Sequence, residues 1–402
     1  MPLGYARRLV ALPRIVLHTG KGGVGKTSVA AATARRSAAA GMRTLVLSTD
    51  PAHSLGDVLE AEVGDEPTQV GDDLWAEQVH AQAELERNWA SVRTWLSGQL
   101  LRRGADRVSA EELTVPPGLD ELLALLRLRR HAEDDAFDVV VVDCAPTGET
   151  LRLLSLPDVA RWWLDRVVPA KERGAIDAAR PFARAVLDVA LPGDDVLADV
   201  TAVVRGVLAM GDVLRDADRA SVRLVMTPER LAIDEARRTF SYLNLYGFPV
   251  DAIVVNRVFP EEVGDYFAAW RERQGAQLRD VADAFAPVPV LQAPYFAEEV
   301  RGADMLDRLG DAAFAERDAT EVLHSGAAER LELSEDGARL HLPMPLAGRG
   351  DVSLRQVGSE LVVRVHGYKR TLLLPPALRG WSARGAALTD GALTVELEAP
   401  VP

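Results

Sequence analysis

A glycine-rich segment near the N-terminus, residues 20–28, carries the residue types best suited to binding phosphate. It reads Gly-Lys-Gly-Gly-Val-Gly-Lys-Thr-Ser and satisfies the pattern Gly-x-x-x-x-Gly-Lys-Thr, in which glycines let backbone N–H groups turn inward around phosphate oxygens. Lys26 would contact the β- and γ-phosphates, and the Thr27 hydroxyl would hold Mg²⁺. The segment therefore predicts a site for a nucleoside triphosphate with Mg²⁺. The predicted binding residues are Gly20, Lys21, Gly22, Gly23, Val24, Gly25, Lys26, Thr27 and Ser28.

Two aspartates that follow hydrophobic runs are candidates for holding the metal and the attacking water. Asp143 follows four valines, and a carboxylate there would hold Mg²⁺ through water, as a Walker-B aspartate does. Asp50 ends an earlier run and precedes Pro51, so its carboxylate could orient the water that attacks the phosphorus. Each also has a structural interpretation, as a strand-end carboxylate that caps a turn or as a common Asp-Pro turn. With a phosphate loop present, we favour the catalytic interpretation.

Short hydrophobic runs with helical stretches between them must position these residues. The phosphate loop lies between a β-branched run and an alanine-rich helical segment, the strand–loop–helix setting of a working phosphate loop. Several runs are apolar on both faces, which is typical of strands in a parallel sheet covered by helices. The pattern predicts a doubly wound α/β fold that binds ligands at the carboxyl ends of its strands. The runs are residues 14–19, 43–49, 138–143, 221–227, 251–257 and 288–292.

Two helix-rich insertions, at about residues 75–135 and 151–218, lie between the motifs and would form a subdomain above the strand ends. Their apolar residues recur at helical spacing, which predicts either plain core packing or a hydrophobic groove that nucleotide opens and closes around a client. The most apolar part contains Trp162 and Trp163, although tandem tryptophans usually pack in cores. The stripes are Leu85, Trp89, Val92, Leu96 and Leu100; Leu119, Leu122, Leu123 and Leu126; and Val196, Val200, Val203, Val204, Val207, Leu208 and Leu214.

The C-terminal segment, residues 328–402, follows a different pattern from the domain before it, residues 1–324. Its apolar residues alternate with polar ones at period two, with turn residues between the runs. The pattern predicts an all-β sandwich, which we call the β module. The alternating apolar residues are Leu361, Val363 and Val365, and Leu393, Val395 and Leu397.

Composition excludes several classes of function. The net charge of −14 over 402 residues argues against non-specific binding to nucleic acid or anionic lipid, which attract basic surfaces. No apolar run approaches about 18 residues, so the sequence predicts no transmembrane helix. The N-terminal apolar stretch stops at Pro13 and leads into the strand before the phosphate loop. We therefore expect no signal peptide and a cytoplasmic protein.

Cys144 is the only cysteine of the chain. Disulfides, Cys-x-x-Cys zinc sites and iron–sulfur clusters within one chain are therefore excluded. The seven histidines show no metal-ligand spacing, so we expect no zinc or other transition-metal site. Without a neighbouring base in the pattern, Cys144 is expected to be a small buried residue rather than a nucleophile.

Three segments occur together in a specific order and spacing. The first is the phosphate loop with its extra Lys21. The second is Ser-Thr-Asp-Pro-Ala-His-Ser-Leu at residues 48–55, and the third is Asp-Cys-Ala-Pro-Thr-Gly-Glu-Thr-Leu-Arg at residues 143–152. Together they resemble the arsenite-transport and tail-anchored-protein-targeting ATPase family. Further matching motifs extend the resemblance over roughly residues 14–310. These are Thr-Pro-Glu-Arg at 227–230, Val-Asn-Arg at 255–257 and Pro-Tyr-Phe-Ala-Glu-Glu-Val-Arg-Gly at 294–302.

The resemblance implies that the nucleotide is ATP and that the chain forms a homodimer with two ATP molecules facing each other. In that arrangement Lys21 reaches the phosphates of the partner's nucleotide and acts with Lys26 in catalysis. Asp50 would position the attacking water in a first switch segment, and residues 143–147 would form the second. The residues implied to lie around the adenine are Asn256, Pro294, Tyr295 and Phe296.

Departures from the family pattern bear on function. Family members that target tail-anchored proteins in eukaryotes carry a zinc-binding Cys-x-x-Cys, and arsenite-pump subunits bind metalloid through several cysteines. This chain has one cysteine.

The β module also resembles an α-crystallin (small heat-shock) domain, through residues 361–365, 372–375 and 390–393. We expect an ATP-switched chaperone or targeting factor for hydrophobic segments. The alternative is an ATPase subunit that drives or regulates a transporter. A positioning ATPase of the partition type would need a basic surface or amphipathic membrane helix, which the sequence does not offer.

Overall fold

An eight-stranded sheet organises the N-terminal part of the chain. The computed structural model describes residues 12–52, 54–79, 119–167, 194–326, 329–334 and 337–400. The strand order is β3-β4-β2-β5-β1-β6-β7-β8. The strands are β1 (Arg14–Thr19), β2 (Thr44–Ser48), β3 (Thr68–Gly71), β4 (Leu74–Gln78), β5 (Val139–Asp143), β6 (Ala220–Met226), β7 (Val250–Val258) and β8 (Val290–Pro294).

Neighbouring strands in this sheet are parallel, except that β3 runs antiparallel to β4. The α/β expectation is confirmed, with an antiparallel edge added to the parallel sheet. β2 and β5 are buried along their whole length because helices cover both faces. Strands β3 and β4 were not predicted from the sequence. β3 is largely exposed, and β4 ends on buried Glu77 and Gln78, so neither forms a continuous apolar run.

Helices connect these strands and continue into the rest of the chain. Helix α1 follows the phosphate loop, and its alanines let it pack closely on the sheet and on α8. None of the described helices is both long and apolar enough to cross a membrane. The helices are α1 (Lys26–Ala39), α2 (Ser54–Leu59), α3 (Leu119–Glu133), α4 (Thr147–Val167), α5 (Asp194–Arg215), α6 (Arg230–Leu245), α7 (Ala268–Phe285) and α8 (Gly302–Phe314).

A second compact unit comprises residues 79–130 and 149–212. Its described part contains most of α3, α4 and α5. On these helices Leu123, Val207 and Met210 are fully buried, as expected for apolar stripes at helical spacing. The stripe from Leu85 to Leu100 lies outside the described residues, as do the side chains of Trp162 and Trp163.

The β module consists of two antiparallel sheets, with strand orders β14-β15-β10-β9 and β11-β12-β13. A two-residue turn, Asp390-Gly391, joins β14 to β15, and both residues have positive φ, as a type I′ hairpin requires. The predicted alternation is confirmed, because all six apolar residues named above are at most 3% exposed. The strands are β9 (Arg330–Ser334), β10 (Gly337–Pro343), β11 (Val352–Val357), β12 (Glu360–Val365), β13 (Tyr368–Leu373), β14 (Ser382–Thr389) and β15 (Ala392–Glu398).

The β module caps the C-terminal end of helix α6. The helix ends in a Schellman motif, in which Phe248 N–H donates to the Leu243 carbonyl at 2.9 Å, with Gly247 in the left-handed region. That motif leaves the carbonyl of Leu245 without a helical partner. Arg370 of β13 supplies one, because its Nη1 donates to this carbonyl at 2.7 Å. A cation at a helix C-terminus is also favoured by the helix dipole.

Replacing Arg370 with alanine is expected to lower the free energy of unfolding by about 1.5–3 kcal/mol, the value of a hydrogen bond to a charged donor. Arg370 is buried and also pairs with Glu329 at 2.7 Å, so the substitution leaves two acceptors without this donor. Urea unfolding followed by circular dichroism measures the effect. Lys369→Ala is the matched control, because Lys369 is exposed and only its backbone carbonyl accepts a hydrogen bond from Tyr246. Equal unfolding midpoints for the two variants would show that the cap contributes nothing.

A buried charge cluster fixes the segment that leads from the eight-stranded sheet to the β module. Arg223 of β6 and Asp251 of β7 are both 0% exposed, and Nε of Arg223 lies 3.1 Å from Oδ1 of Asp251. Arg14 contacts the other oxygen of Asp251 at 3.4 Å. Arg223 also donates to the carbonyls of Ala319 and Glu321, at 2.6 and 3.2 Å. The strands therefore hold this segment by hydrogen bonds to its backbone.

Candidate nucleotide site

The phosphate loop lies where the sequence predicts, between β1 and α1, at the carboxyl edge of the sheet. Two of its glycines, Gly20 and Gly25, are required by geometry. A Cβ on Gly20 would collide with the Val225 carbonyl of β6, and Gly25 has φ 89° directly before α1. Lys26 is buried, and its Nζ donates to the Lys21 carbonyl at 3.5 Å. The loop therefore wraps around its own lysine at a helix N-terminus, an arrangement suited to phosphate.

The end of β5 brings Asp143 next to this loop. Residue 143 pairs with His18 of β1 on one side and with Ser48 of β2 on the other. Its Oδ2 accepts a hydrogen bond from the Ser48 hydroxyl at 3.2 Å. Oδ1 is buried and has no hydrogen-bond partner in the described part of the chain. A buried oxygen in this state is costly unless something binds it.

The electrostatics of Asp143 fit a cation. Burial raises the pKa of this carboxyl to about 6, with the charge of Asp50 adding to the rise and the Thr27 hydroxyl and Lys26 ammonium opposing it. A divalent cation would stabilise the ionised form and satisfy the unpaired oxygen. The Thr27 hydroxyl and the Asp143 carboxylate are ligands of the hard oxygen type that Mg²⁺ prefers. No cluster of three His, Cys, Asp or Glu side chains that would hold another metal is found among the described residues.

Asp50 lies two residues after the end of β2, near Asp143. Its Oδ1 accepts a hydrogen bond from the Ala52 N–H at 3.0 Å, and its own N–H donates to Ser48 at 3.3 Å. These bonds hold a turn that places a half-buried carboxylate at the edge of the site. The placement is suited to orienting water. His53, next in the motif, lies outside the described residues.

Lys21 and Cys144 have opposite surroundings. Lys21 is at the tip of the phosphate loop and its side chain is exposed to solvent. Cys144 is 2% exposed and has its Sγ 4.0 Å from the Val142 carbonyl. A buried thiol of this kind packs as a small apolar group, whereas the exposed lysine is free to meet a group outside its own loop.

Two residues at the end of β7 orient the phosphate loop. The Asn256 side chain donates to the Val24 carbonyl at 2.9 Å, and Arg257 Nη1 donates to the Gly23 carbonyl at 3.0 Å. In a trans peptide the N–H points away from the carbonyl of the same peptide unit. Holding these two carbonyls therefore directs the N–H groups of Val24 and Gly25 away from β7.

Arg257 was not among the site residues predicted from the sequence. Its φ of 61° is unusual for a residue with a side chain, and the Asn256 side-chain oxygen accepts its N–H at 2.9 Å. Sequence patterns do not show this backbone conformation, so the Val-Asn-Arg motif was the only indication.

Replacing Arg257 with alanine is expected to weaken ATP binding about tenfold, because the lost hydrogen bond is worth about 1.5 kcal/mol. Titration with a fluorescent ATP analogue measures the dissociation constant. Arg273→Ala is the control, because Arg273 is exposed and packs over the Trp270 ring rather than on the loop. Unchanged affinity in the Arg257 variant would show that the loop keeps its shape without this contact.

The residues expected around the adenine line one cavity beside the loop. The cavity measures about 610 Å³, within the range of small-molecule sites. Asn256 lines it together with Pro294, Tyr295 and Phe296. Tyr295 is 53% exposed, and its ring lies 5.8 Å from that of Phe259. The structure thus brings together the residues predicted from two distant motifs.

Comparisons with known proteins agree with this geometry. A phosphate loop after the first strand, an aspartate at the end of the neighbouring strand and a C-terminal β module define a P-loop ATPase with a C-terminal antiparallel domain. The chain belongs to the ArsA ATPase family, because the family described as anion-transporting ATPase matches residues 13–314. The HSP20-like domain found in ArsA matches residues 335–397. The protein is therefore an enzyme that hydrolyses ATP.

Relatives of the chain include arsenical pump-driving ATPases and an ATPase ASNA1 homolog. An arsenical pump-driving ATPase of Prosthecochloris vibrioformis is 35% identical over 380 residues, which cover 94% of each chain. Arsenical pump-driving ATPase 1 of Aquifex aeolicus is 30% identical over 377 residues, 91% of this chain and 95% of the relative. ATPase ASNA1 homolog 1 of Paramecium tetraurelia is 26% identical over 299 residues, 71% of this chain and 88% of the relative.

Proposed function

We propose that the protein is a cytoplasmic, dimeric switch ATPase that hydrolyses MgATP and serves as a chaperone or targeting factor for hydrophobic protein segments. ATP closes the dimer and assembles an apolar groove from the helices of the second compact unit. Hydrolysis then releases the client.

The observation that carries this proposal is the apolar surface left on the second unit. Helix α5 buries Val207 and Met210, while Val203, Val204 and Leu208 are only half-buried. On α4, Val159 is 59% exposed. Apolar side chains left accessible on helices are what an apolar client segment would cover.

The metal and dimer proposals rest on two features of the nucleotide site. The unpaired oxygen of Asp143 and the Thr27 hydroxyl support Mg²⁺, with Asp143 acting through water. Mg²⁺ would neutralise charge on the phosphates, while Lys26 holds them and Asp50 orients water. The exposed Lys21 supports a dimer in which this side chain contacts the partner's nucleotide.

A binding experiment tests the client proposal. A fluorescent 20-residue apolar helical peptide is expected to bind in the presence of ATP and to change the rate of ATP hydrolysis. Leu208→Asp should weaken this binding, because it places a charge in the proposed groove. Ala209→Asp is the matched control, since Ala209 is exposed on the same helix. Equal binding by the two variants, or no binding by the wild type, would contradict the proposal.

A second candidate function is an ATPase subunit that drives or regulates a transporter, which the names of the arsenical pump-driving relatives favour. Against metalloid activation, the chain has one cysteine, and that cysteine is buried. Arsenite and antimonite are therefore expected to leave ATP hydrolysis unchanged. Severalfold stimulation by either, without peptide binding, would favour the transporter function instead.

A further inference from the structure

Helix α6 contacts the segment that follows Asp143 through its first half and the β module through its C-terminal end. In its first half, Glu235 Oε1 accepts a hydrogen bond from the Thr147 hydroxyl at 2.9 Å. Thr147 begins α4 and lies four residues after Asp143. At its C-terminal end, α6 is capped by Arg370, and the adjoining Tyr246 hydroxyl donates to the Lys369 carbonyl at 2.8 Å.

Two side-chain contacts help to hold the segment after Asp143. On one side, the Ala145 N–H donates to the Thr49 hydroxyl at 3.3 Å, next to the end of β2. On the other, Thr147 donates to Glu235. A hydrogen bond to a carboxylate is stronger than one between neutral groups, so Glu235 is the firmer attachment. Thr147 is 7% exposed, which shields the bond from water.

The same glutamate lies close to the β module. Burial raises the pKa of the Tyr368 hydroxyl; the charge of Arg238 opposes the rise and the charge of Glu235 adds to it. The Tyr368 ring meets the Tyr242 ring edge-on at 5.0 Å, and Tyr242 stacks on Tyr246 at 4.3 Å. Packed rings thus connect the last turn of α6 to the β module.

We propose that Glu235 is a positioning residue for ATP hydrolysis, which holds the segment after Asp143 through Thr147, and that α6 transmits the movement of this segment to the β module. The proposal rests on residues 143–147 being a nucleotide-responsive segment, as proposed above. A 16-residue helix is a rigid element about 24 Å long. A shift at Glu235 therefore reaches the residues that Tyr368 and Arg370 contact.

Enzyme kinetics test the positioning role. Glu235→Ala is expected to lower kcat about tenfold and to leave KM for ATP within twofold, because Glu235 acts on the catalytic segment rather than on the phosphate loop. Glu235→Gln keeps an acceptor oxygen for Thr147 and should restore most of kcat. Asp234→Ala is the control, since the described contact of Asp234 is an exposed pair with Arg237 on the same helix. An unchanged kcat in Glu235→Ala would overturn the role.

A double variant separates this contact from a general effect on folding. Thr147→Val should lower kcat to the same extent as Glu235→Ala, and the combined variant should be no slower than either. Fully additive losses would show that the two side chains act independently and would overturn the proposed contact.

Hydrogen exchange in the full-length protein tests transmission to the β module. Exchange in residues 360–373 is expected to differ between ADP and a non-hydrolysable ATP analogue in the wild type and in Asp234→Ala, and to be equal in Glu235→Ala. No difference in the wild type, or a difference that persists in Glu235→Ala, would overturn the transmission. If the wild-type protein hydrolysed ATP no faster than a Lys26→Ala variant, this result would contradict the proposed nucleotide site rather than the role of Glu235.

Discussion

Replacing Lys21 with alanine is expected to lower the rate of ATP hydrolysis about 10³-fold, the lower end of the effect of a cation supplied in trans to a transferring phosphoryl group. ATP binding should persist, because the backbone of the loop and Lys26 remain in place. The exposed position of Lys21 fits a contact that forms only in a closed dimer. Single-turnover hydrolysis and equilibrium binding of an ATP analogue separate the two effects. Normal turnover would exclude the role in trans.

Mixing two inactive variants gives a sharper test of the shared site. Asp50→Asn removes the proposed water-orienting group, and Lys21→Ala removes the cation that we propose is donated to the partner. In a mixed dimer, one site would combine the intact Asp50 of one chain with the intact Lys21 of the other. An equal mixture should therefore recover about a quarter of wild-type activity, since half of the dimers would contain one complete site. A mixture as inactive as its components would mean that Lys21 serves its own nucleotide.

Replacing Asp251 with alanine is expected to lower the free energy of unfolding by about 3–5 kcal/mol, the cost of leaving a buried charge without its partner. Arg223 would remain fully buried beside an apolar methyl group, with Arg14 nearby. Burial already lowers the pKa of Arg14 to about 10, and Asp251 is the neighbour that opposes this shift. Removal of Asp251 therefore adds repulsion to desolvation. Urea unfolding measures the loss.

A surface ion pair provides the comparison. Asp307 accepts two hydrogen bonds from Arg35, at 2.7 and 2.8 Å, but both side chains are partly exposed. Asp307→Ala should cost less than about 1 kcal/mol, because water screens such pairs. Equal losses for the Asp251 and Asp307 variants would show that the buried cluster contributes little.

The nucleotide site could be predicted from local sequence because its parts are local. The phosphate loop needs glycines at fixed spacing, and the run of four valines before Asp143 is apolar on both faces, so each is visible within about ten residues. Asp50 became a candidate from its place at the end of a hydrophobic run. The residues lining the adenine cavity became candidates through a family resemblance, and the structure places Asn256, Tyr295 and Phe296 around one cavity.

The contacts that connect distant parts of the chain could not be predicted in this way. Arg257 supports the loop through a left-handed backbone angle and a bond to a residue 234 positions earlier. Glu235 meets Thr147 across 88 residues. Arg370 looks like any polar residue on the outer face of a strand, yet it is buried against a helix end. Strand periodicity describes the two faces of a sheet and says nothing of what packs against them.

The hydrogen bonds that Arg223 and Asp251 make with residues 319–323 limit how far the β module can move away from α6. Asp251 accepts a hydrogen bond from the Leu323 N–H at 3.4 Å, and β9 begins at Arg330. Seven residue steps span at most about 25 Å, even when fully extended. If the contacts around Arg370 open, the module therefore stays at a high effective concentration near α6, and rebinding is an intramolecular event. Such a tether favours fast, repeated opening and closing over exchange with modules of other molecules.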